Sequence, residues 1–192
     1  QLFATICDAV NAAHLRGVDV KILFDACNNP PDENGVVFPR DLNRAMADAA
    51  QVKGLCEDRI TRDDVQKPPI PHNKFVVLLK DGQPDSVLTG SANFSLGGVF
   101  GQSNVIHVVE DPAVARAYFD CWEQLADNPA FQTLRSGFSL TNPLPAPPDR
   151  PPVGTSCIFS PQKSLAALDY YALRAKEAQA ADLRNKLCIT TL

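Results

Sequence analysis

Four side chains in two short stretches of this sequence could do chemistry together. His72 and Lys74 lie two residues apart in Pro71-His72-Asn73-Lys74-Phe75, and Ser91 and Asn93 lie two apart in Thr89-Gly90-Ser91-Ala92-Asn93-Phe94. Residues two apart on a strand share a face. Between the stretches run an apolar segment, Phe75-Val76-Val77-Leu78-Leu79, and a turn-forming one, Lys80-Asp81-Gly82-Gln83-Pro84. The spacing predicts two neighbouring strands joined by a short loop, which bring an imidazole, an ammonium, a hydroxyl and a carboxamide into one patch. Such a set suits a phosphate ester. Lys and Asn can hold the non-bridging oxygens, Ser can donate a hydrogen bond, and His can attack phosphorus or move a proton. A lone histidine is more often a hydrogen-bonded structural residue. The second stretch at strand-pair distance, with the glycine-rich Leu96–Gln102 after it, is what sets His72 apart.

The rest of the chain must hold that hairpin in place. Leu2, Phe3, Ile6, Val10 and Ala13 recur at helical spacing, and Gly17 is placed to end the helix. Val18, Val20, Ile22 and Phe24 alternate with Asp19 and Lys21, which predicts a strand to about Ala26. A turn-rich loop spans Asn28–Gly35. A second helix is expected from Arg40 to Gln51 with Leu42, Ala45, Met46 and Ala49 on its buried face, and a short strand near Leu55. After the hairpin, Leu96–Gln102 reads as a glycine-rich connection and Val105–Val109 as a central strand. Asp111-Pro112 then starts a helix that buries Val114, Ala117, Tyr118, Cys121, Trp122 and Leu125. Six prolines between Pro143 and Pro152 read as an extended linker. A strand at Ser156–Phe159, a helix from Ser164 to about Leu183 and a final strand follow.

Composition narrows the class. The 192 residues are 45% hydrophobic and 21% charged, ordinary for a globular protein with a full core. The net charge of −4 speaks against a non-specific nucleic-acid binder, which would carry a basic surface. No run approaches the ~18 apolar residues of a membrane span. The six cysteines, Cys7, Cys27, Cys56, Cys121, Cys157 and Cys188, form no Cys-x-x-Cys pair and have no histidine at ligand spacing. They read as small core residues rather than zinc ligands, with a disulfide or two in a secreted protein as the alternative. His107 lies in an apolar strand and reads as structural, and His14 as an exposed helix residue. Glu110 and Asp111 read as helix-capping acids.

His-x-Lys, an apolar strand and Gly-Ser-x-Asn resemble the signature of the phospholipase D superfamily. The resemblance covers the hairpin, and the surrounding elements are compatible with it over most of the chain. In that family the Lys is usually followed by four residues and an Asp. Here Leu79 stands at that position, and the nearest acid, Asp81, comes two residues later. The resemblance implies an α/β fold, a mixed central β-sheet flanked by helices, built as two similar halves with one His-x-Lys each. On that pattern residues 1–130 are most of a first half, 131–153 a Pro-rich linker and 154–192 the start of a second half. The second His-x-Lys is then expected beyond Leu192 in the same full-length chain, and the stretch in hand is expected to be inactive alone.

The resemblance also implies a metal-independent, cofactor-free phosphodiesterase. One histidine forms a phosphohistidine while the other protonates the leaving alcohol and then activates water. His72 would fill one of these two roles, Lys74 and Asn93 would bind phosphate oxygens, and Ser91 would support them. The acidic chain favours phospholipid head groups over nucleic acid as the substrate. No stable membrane insertion is expected. A nuclease of the same superfamily and a non-catalytic phosphate-binding scaffold remain as alternatives.

Overall fold

Cys7 and Val10 turn to the core from the first helix, α1 (Leu2–Leu15). Gly17, at φ +88°, ends it. Its N–H donates to the His14 carbonyl at 2.8 Å while the Val18 N–H reaches Ala13 at 3.1 Å, the paired bonds of a Schellman cap. These coordinates are a computed structural model, and they describe residues 2–25, 31–36, 40–52, 54, 56–60, 72–141 and 155–180. The described chain folds as two compact units, Gln1–Leu134 and Arg135–Leu192.

In the first unit, β1 (Ile22–Asp25) is followed by α2 (Arg40–Ala49) and then by β2 (Cys56–Ile60), which pairs parallel to β1. Of the strand expected from Val18, only its second half joins the ladder, and Val18 itself is exposed. The core beneath this ladder is built from small residues: Cys7, Ala47 and Val52, with Val10, Ile22 and Ala50 packed against them. α2 turns a different side inward from the one its larger residues suggest. Leu42, Ala45, Met46 and Ala49 are exposed, and Ala47 is buried. Two amides fix this rotation: Asn43 donates to the Asp25 carbonyl at 2.9 Å, and Asn11 of α1 to the Ala50 carbonyl at 3.1 Å.

The expected hairpin is β3 (Phe75–Lys80) and β4 (Gln83–Gly90), antiparallel, with Phe75 opposite Thr89 and Val77 opposite Val87. Asp81 and Gly82 make the turn at φ +50° and +73°, the sign pattern of a type I′ turn that matches strand twist. Leu96–Gln102, expected as a glycine-rich connection, instead contains a short helix, α3 (Leu96–Phe100), capped by Ser95. The next strand, β5 (Ile106–Val109), pairs antiparallel with β4. The order is β3-β4-β5, so among the described residues β5 is an edge rather than the expected central strand. Its apolar residues are largely open to solvent, and His107 is exposed with them.

α4 (Pro112–Ala126) ties the two ladders together, touching β2, β3 and β4. As expected, Asp111 caps it, accepting from the Ala113 and Val114 N–H groups at 2.8 and 3.2 Å. Val114, Ala115, Cys121 and Leu125 are buried in this helix, and Val87 is buried in β4. The Tyr118 ring meets Phe75 edge-on at 5.1 Å. Helices and strands thus form an α/β architecture with both parallel and antiparallel pairing, in a two-stranded and a three-stranded ladder among the described residues. Cys7 and Cys121 are buried among apolar neighbours, the place expected of core cysteines.

The expected extended linker gives way to structure at its start, because residues 131–141, which run from the first unit into the second, form α5 (Phe131–Thr141). The proline run lies outside the described residues, as does the final strand. Residues 156–159, expected as a strand, are extended but join no ladder among the described residues. Phe159 instead meets the buried Phe138 at 6.3 Å. Arg135 holds the segment that follows, donating to the Gln162 and Lys163 carbonyls at 2.7 and 3.2 Å. α6 (Ala166–Ala180) closes the described chain.

Candidate active site

All four chemistry-bearing residues lie at one end of the three-stranded sheet, opposite the Asp81-Gly82 turn. The β3–β4 register brings them there: with Phe75 opposite Thr89, the residues entering β3 run alongside those leaving β4. The Thr89 hydroxyl donates to the Lys74 carbonyl at 3.4 Å, at the last rung of that ladder.

Lys74 is half-buried, and its ammonium donates to the His72 carbonyl at 2.8 Å. That bond folds the lysine back over its own strand. Burial pushes the Lys74 amine below the usual lysine range, because a partly desolvated ammonium is disfavoured. His72 is exposed beside it, with no side-chain hydrogen bond among the described residues.

On the other strand the two-residue alternation continues past the end of β4. Ser91 and Asn93 are exposed while Ala92 between them is buried, which pins the segment. Gly90 is required here for a backbone reason. A Cβ at this position would run into the Val105 carbonyl oxygen and lie 2.9 Å from the Ile106 Cα. The missing side chain lets the start of β5 close against the end of β4, and the Ser91 N–H donates to Val105 at 2.9 Å.

The Ser91 hydroxyl faces this crossing. It donates to the Asn104 side-chain carbonyl at 3.0 Å and accepts from the Val105 N–H at 3.0 Å. Ser91 thus joins the end of β4 to the start of β5. Asn93 has an exposed carboxamide with no partner among the described residues, so its side-chain donors can take a phosphate oxygen.

The backbone of Asn93 is held from behind by α3. The Asn93 carbonyl accepts from the Ser95 N–H at 2.7 Å, and the Ser95 hydroxyl accepts from the Gly98 N–H at 3.1 Å. A Cβ on Gly98 would strike the Asn93 carbonyl oxygen and lie 2.9 Å from its nitrogen. Asn104 completes the brace, donating to the Gly98 carbonyl at 2.6 Å and to the Gln102 side chain at 3.2 Å. Sequence spacing does not single out Asn104. Two of its three partners lie six and thirteen residues back, and a lone Asn after Gln102-Ser103 looks like any loop residue.

The position of the usual family Asp lies away from this cluster. Leu79 is partly exposed, at a register shift near the turn. Asp81 occupies the turn itself. At ~3.3 Å per residue it lies about 20 Å along the strand from Phe75, too far to touch His72. Among the described residues, no group of three His, Cys, Asp or Glu side chains is placed to hold a metal ion.

The arrangement offers an exposed imidazole, an exposed carboxamide and a half-buried ammonium, on a frame fixed by Ser91, Gly98 and Asn104. Residues 2–125 match the family model described as "cardiolipin synthase, PLD-like domain". Neither the curated proteins nor the solved structures include a match to the chain. With the family match spanning well over half of its length, the chain belongs to the phospholipase D-like domain family of the cardiolipin synthase type.

Proposed function

We propose that this chain supplies one histidine half-site of a phosphodiesterase that cleaves phospholipid head-group phosphodiesters through a phosphohistidine. The observation that carries this reading is that His72, Lys74 and Asn93 all lie at one sheet end, with the His72 and Asn93 side chains uncommitted among the described residues. In the first step one histidine nitrogen bonds to phosphorus and the P–O bond to the leaving alcohol breaks. A second histidine gives that alcohol its proton. In the second step the same histidine takes a proton from water, whose oxygen bonds to phosphorus as the P–N bond breaks. Lys74 offsets the charge on the equatorial oxygens and Asn93 donates hydrogen bonds to them throughout. No step calls for a metal or cofactor.

His72 takes one of the two histidine roles. The other belongs to a second His-x-Lys half, since neither His14 nor His107 has a lysine two residues on. The test uses the full-length protein, wild type against His72→Ala, on bis-p-nitrophenyl phosphate, phosphatidylcholine and single-stranded DNA, each with EDTA. EDTA-resistant turnover lost in His72→Ala supports the mechanism, and the preferred substrate separates lipid from nucleic acid. Full activity in His72→Ala would remove the site assignment. No turnover of any of the three by wild type would favour a phosphate-binding scaffold.

A further inference from the structure

We infer that the open face of α3, with the start of β5, is a lipid-surface contact that seats the phosphate site on a membrane; this rests on the phospholipid reading above. Leu96, Val99 and Phe100 fall at i, i+3 and i+4, the spacing of a helix face that is ordinarily buried. Here Leu96 is 61% exposed and Phe100 73%. Val105 and Ile106, next to the Asn104 that holds α3, are 54% and 48% exposed. The patch is rigidly joined to Asn93, because the Gly98 backbone lies directly against it. A phosphate held by Asn93 therefore has apolar surface one helical turn away.

Charge and size decide among the occupants. From Asp81 to Ala115 the sequence has no Lys or Arg. The rim built by β4, α3 and β5 thus lacks the cations a polyanionic strand needs along its phosphates. A stable protein interface takes about 20–30 residues a side, far more than this patch offers. A phospholipid surface joins phosphate to hydrocarbon over a short distance, which is the pairing found here. Leu and Phe are side chains that enter the boundary between head groups and acyl chains. α3 has 5 residues, far short of the ~20 a membrane-spanning helix needs, so this contact is peripheral.

The test is co-sedimentation of the full-length protein with phosphatidylcholine vesicles and with phosphatidylcholine–phosphatidylglycerol vesicles, at low salt and at about 0.5 M NaCl, where surface charge is screened. Wild type is expected to bind both kinds, with binding that survives the salt. Leu96→Ser/Phe100→Ser is expected to bind at least about tenfold less while cleaving soluble bis-p-nitrophenyl phosphate at the wild-type rate. In Phe100→Trp, vesicles should shift the added emission to the blue above the Trp122 background. Failure of wild type to bind, unchanged binding by the double serine variant, or no blue shift overturns the inference. Equal loss of binding and of soluble turnover also overturns it, since the patch would then act only by supporting Asn93. If His72→Ala keeps full activity, the catalytic reading falls while vesicle binding still judges the patch.

Discussion

The two ends of the β3–β4 hairpin treat polar groups in opposite ways. At the turn, the Lys80 ammonium and the Asp85 carboxylate pair at 2.9 Å, and Asp81-Gly82 closes the loop by conformation alone. The lysine pair holds the Asp85 carboxyl below its usual range. At the other end, His72 and Asn93 present side chains with no partner among the described residues, and Lys74 reaches only a backbone carbonyl. The closed end is complete without a ligand. The open end spends its hydrogen bonds on the frame, through Ser91, Gly98 and Asn104, and leaves its donors for something from outside. A hairpin can therefore be read for function by asking which end leaves its polar side chains uncommitted.

The strongest way to break this contrast is His72→Ala, which should lower phosphodiester turnover at least about a hundredfold with the thermal unfolding midpoint unchanged. Gly98→Ala comes next. It touches no reacting atom, yet its methyl meets the Asn93 backbone, and a displacement near 1 Å is worth about a hundredfold in kcat. Unchanged kcat in Gly98→Ala would show that the position of Asn93 is irrelevant.

The pH profile sharpens the contrast further. The Lys74 amine is depressed by burial, so its positive charge, and the phosphate binding proposed for it, is lost as pH rises. The loss should begin below the ~10.4 of a free lysine. For stability the sign is the reverse. The unfolded chain holds more protons in that window, so folding gains as pH rises through the lowered value. Lys74→Arg should move the alkaline rise in KM to higher pH, because a guanidinium does not deprotonate there. Asn104→Ala should cost about 1 kcal/mol in urea unfolding, because it strips the Ser91 hydroxyl of its acceptor. Smallest of all, Lys80→Ala at the closed end should leave both turnover and the urea midpoint where they are, as exposed pairs commonly contribute nothing measurable.

Much of the hairpin was legible because its signals are local. The Asp81-Gly82 turn, the apolar run after Lys74 and the Asp111-Pro112 cap each act within a few residues. The glycines of Leu96–Gln102 mislead for a physical reason. Glycine costs a helix about 1 kcal/mol against alanine, yet Ser95 caps α3 and the close approach of Gly98 to Asn93 demands the missing side chain. Val105–Val109 reads as a central strand because apolar runs suggest burial on both faces, and periodicity cannot see that no described strand lies beyond it. α2 turns Ala47 inward rather than Leu42 and Met46 because Asn43 and Asn11 fix its rotation through bonds made far along the chain. Asn104 was silent for the same reason.

Gly90 has a genetic consequence. The obstacle to a side chain there is the main chain of Val105 and Ile106, not a neighbouring side chain that could be trimmed. No second-site change of residue type makes room. A suppressor screen begun from Gly90→Ala should therefore return reversion to glycine and no compensating substitution at the residues around it, so the position is closed to gradual evolutionary exchange.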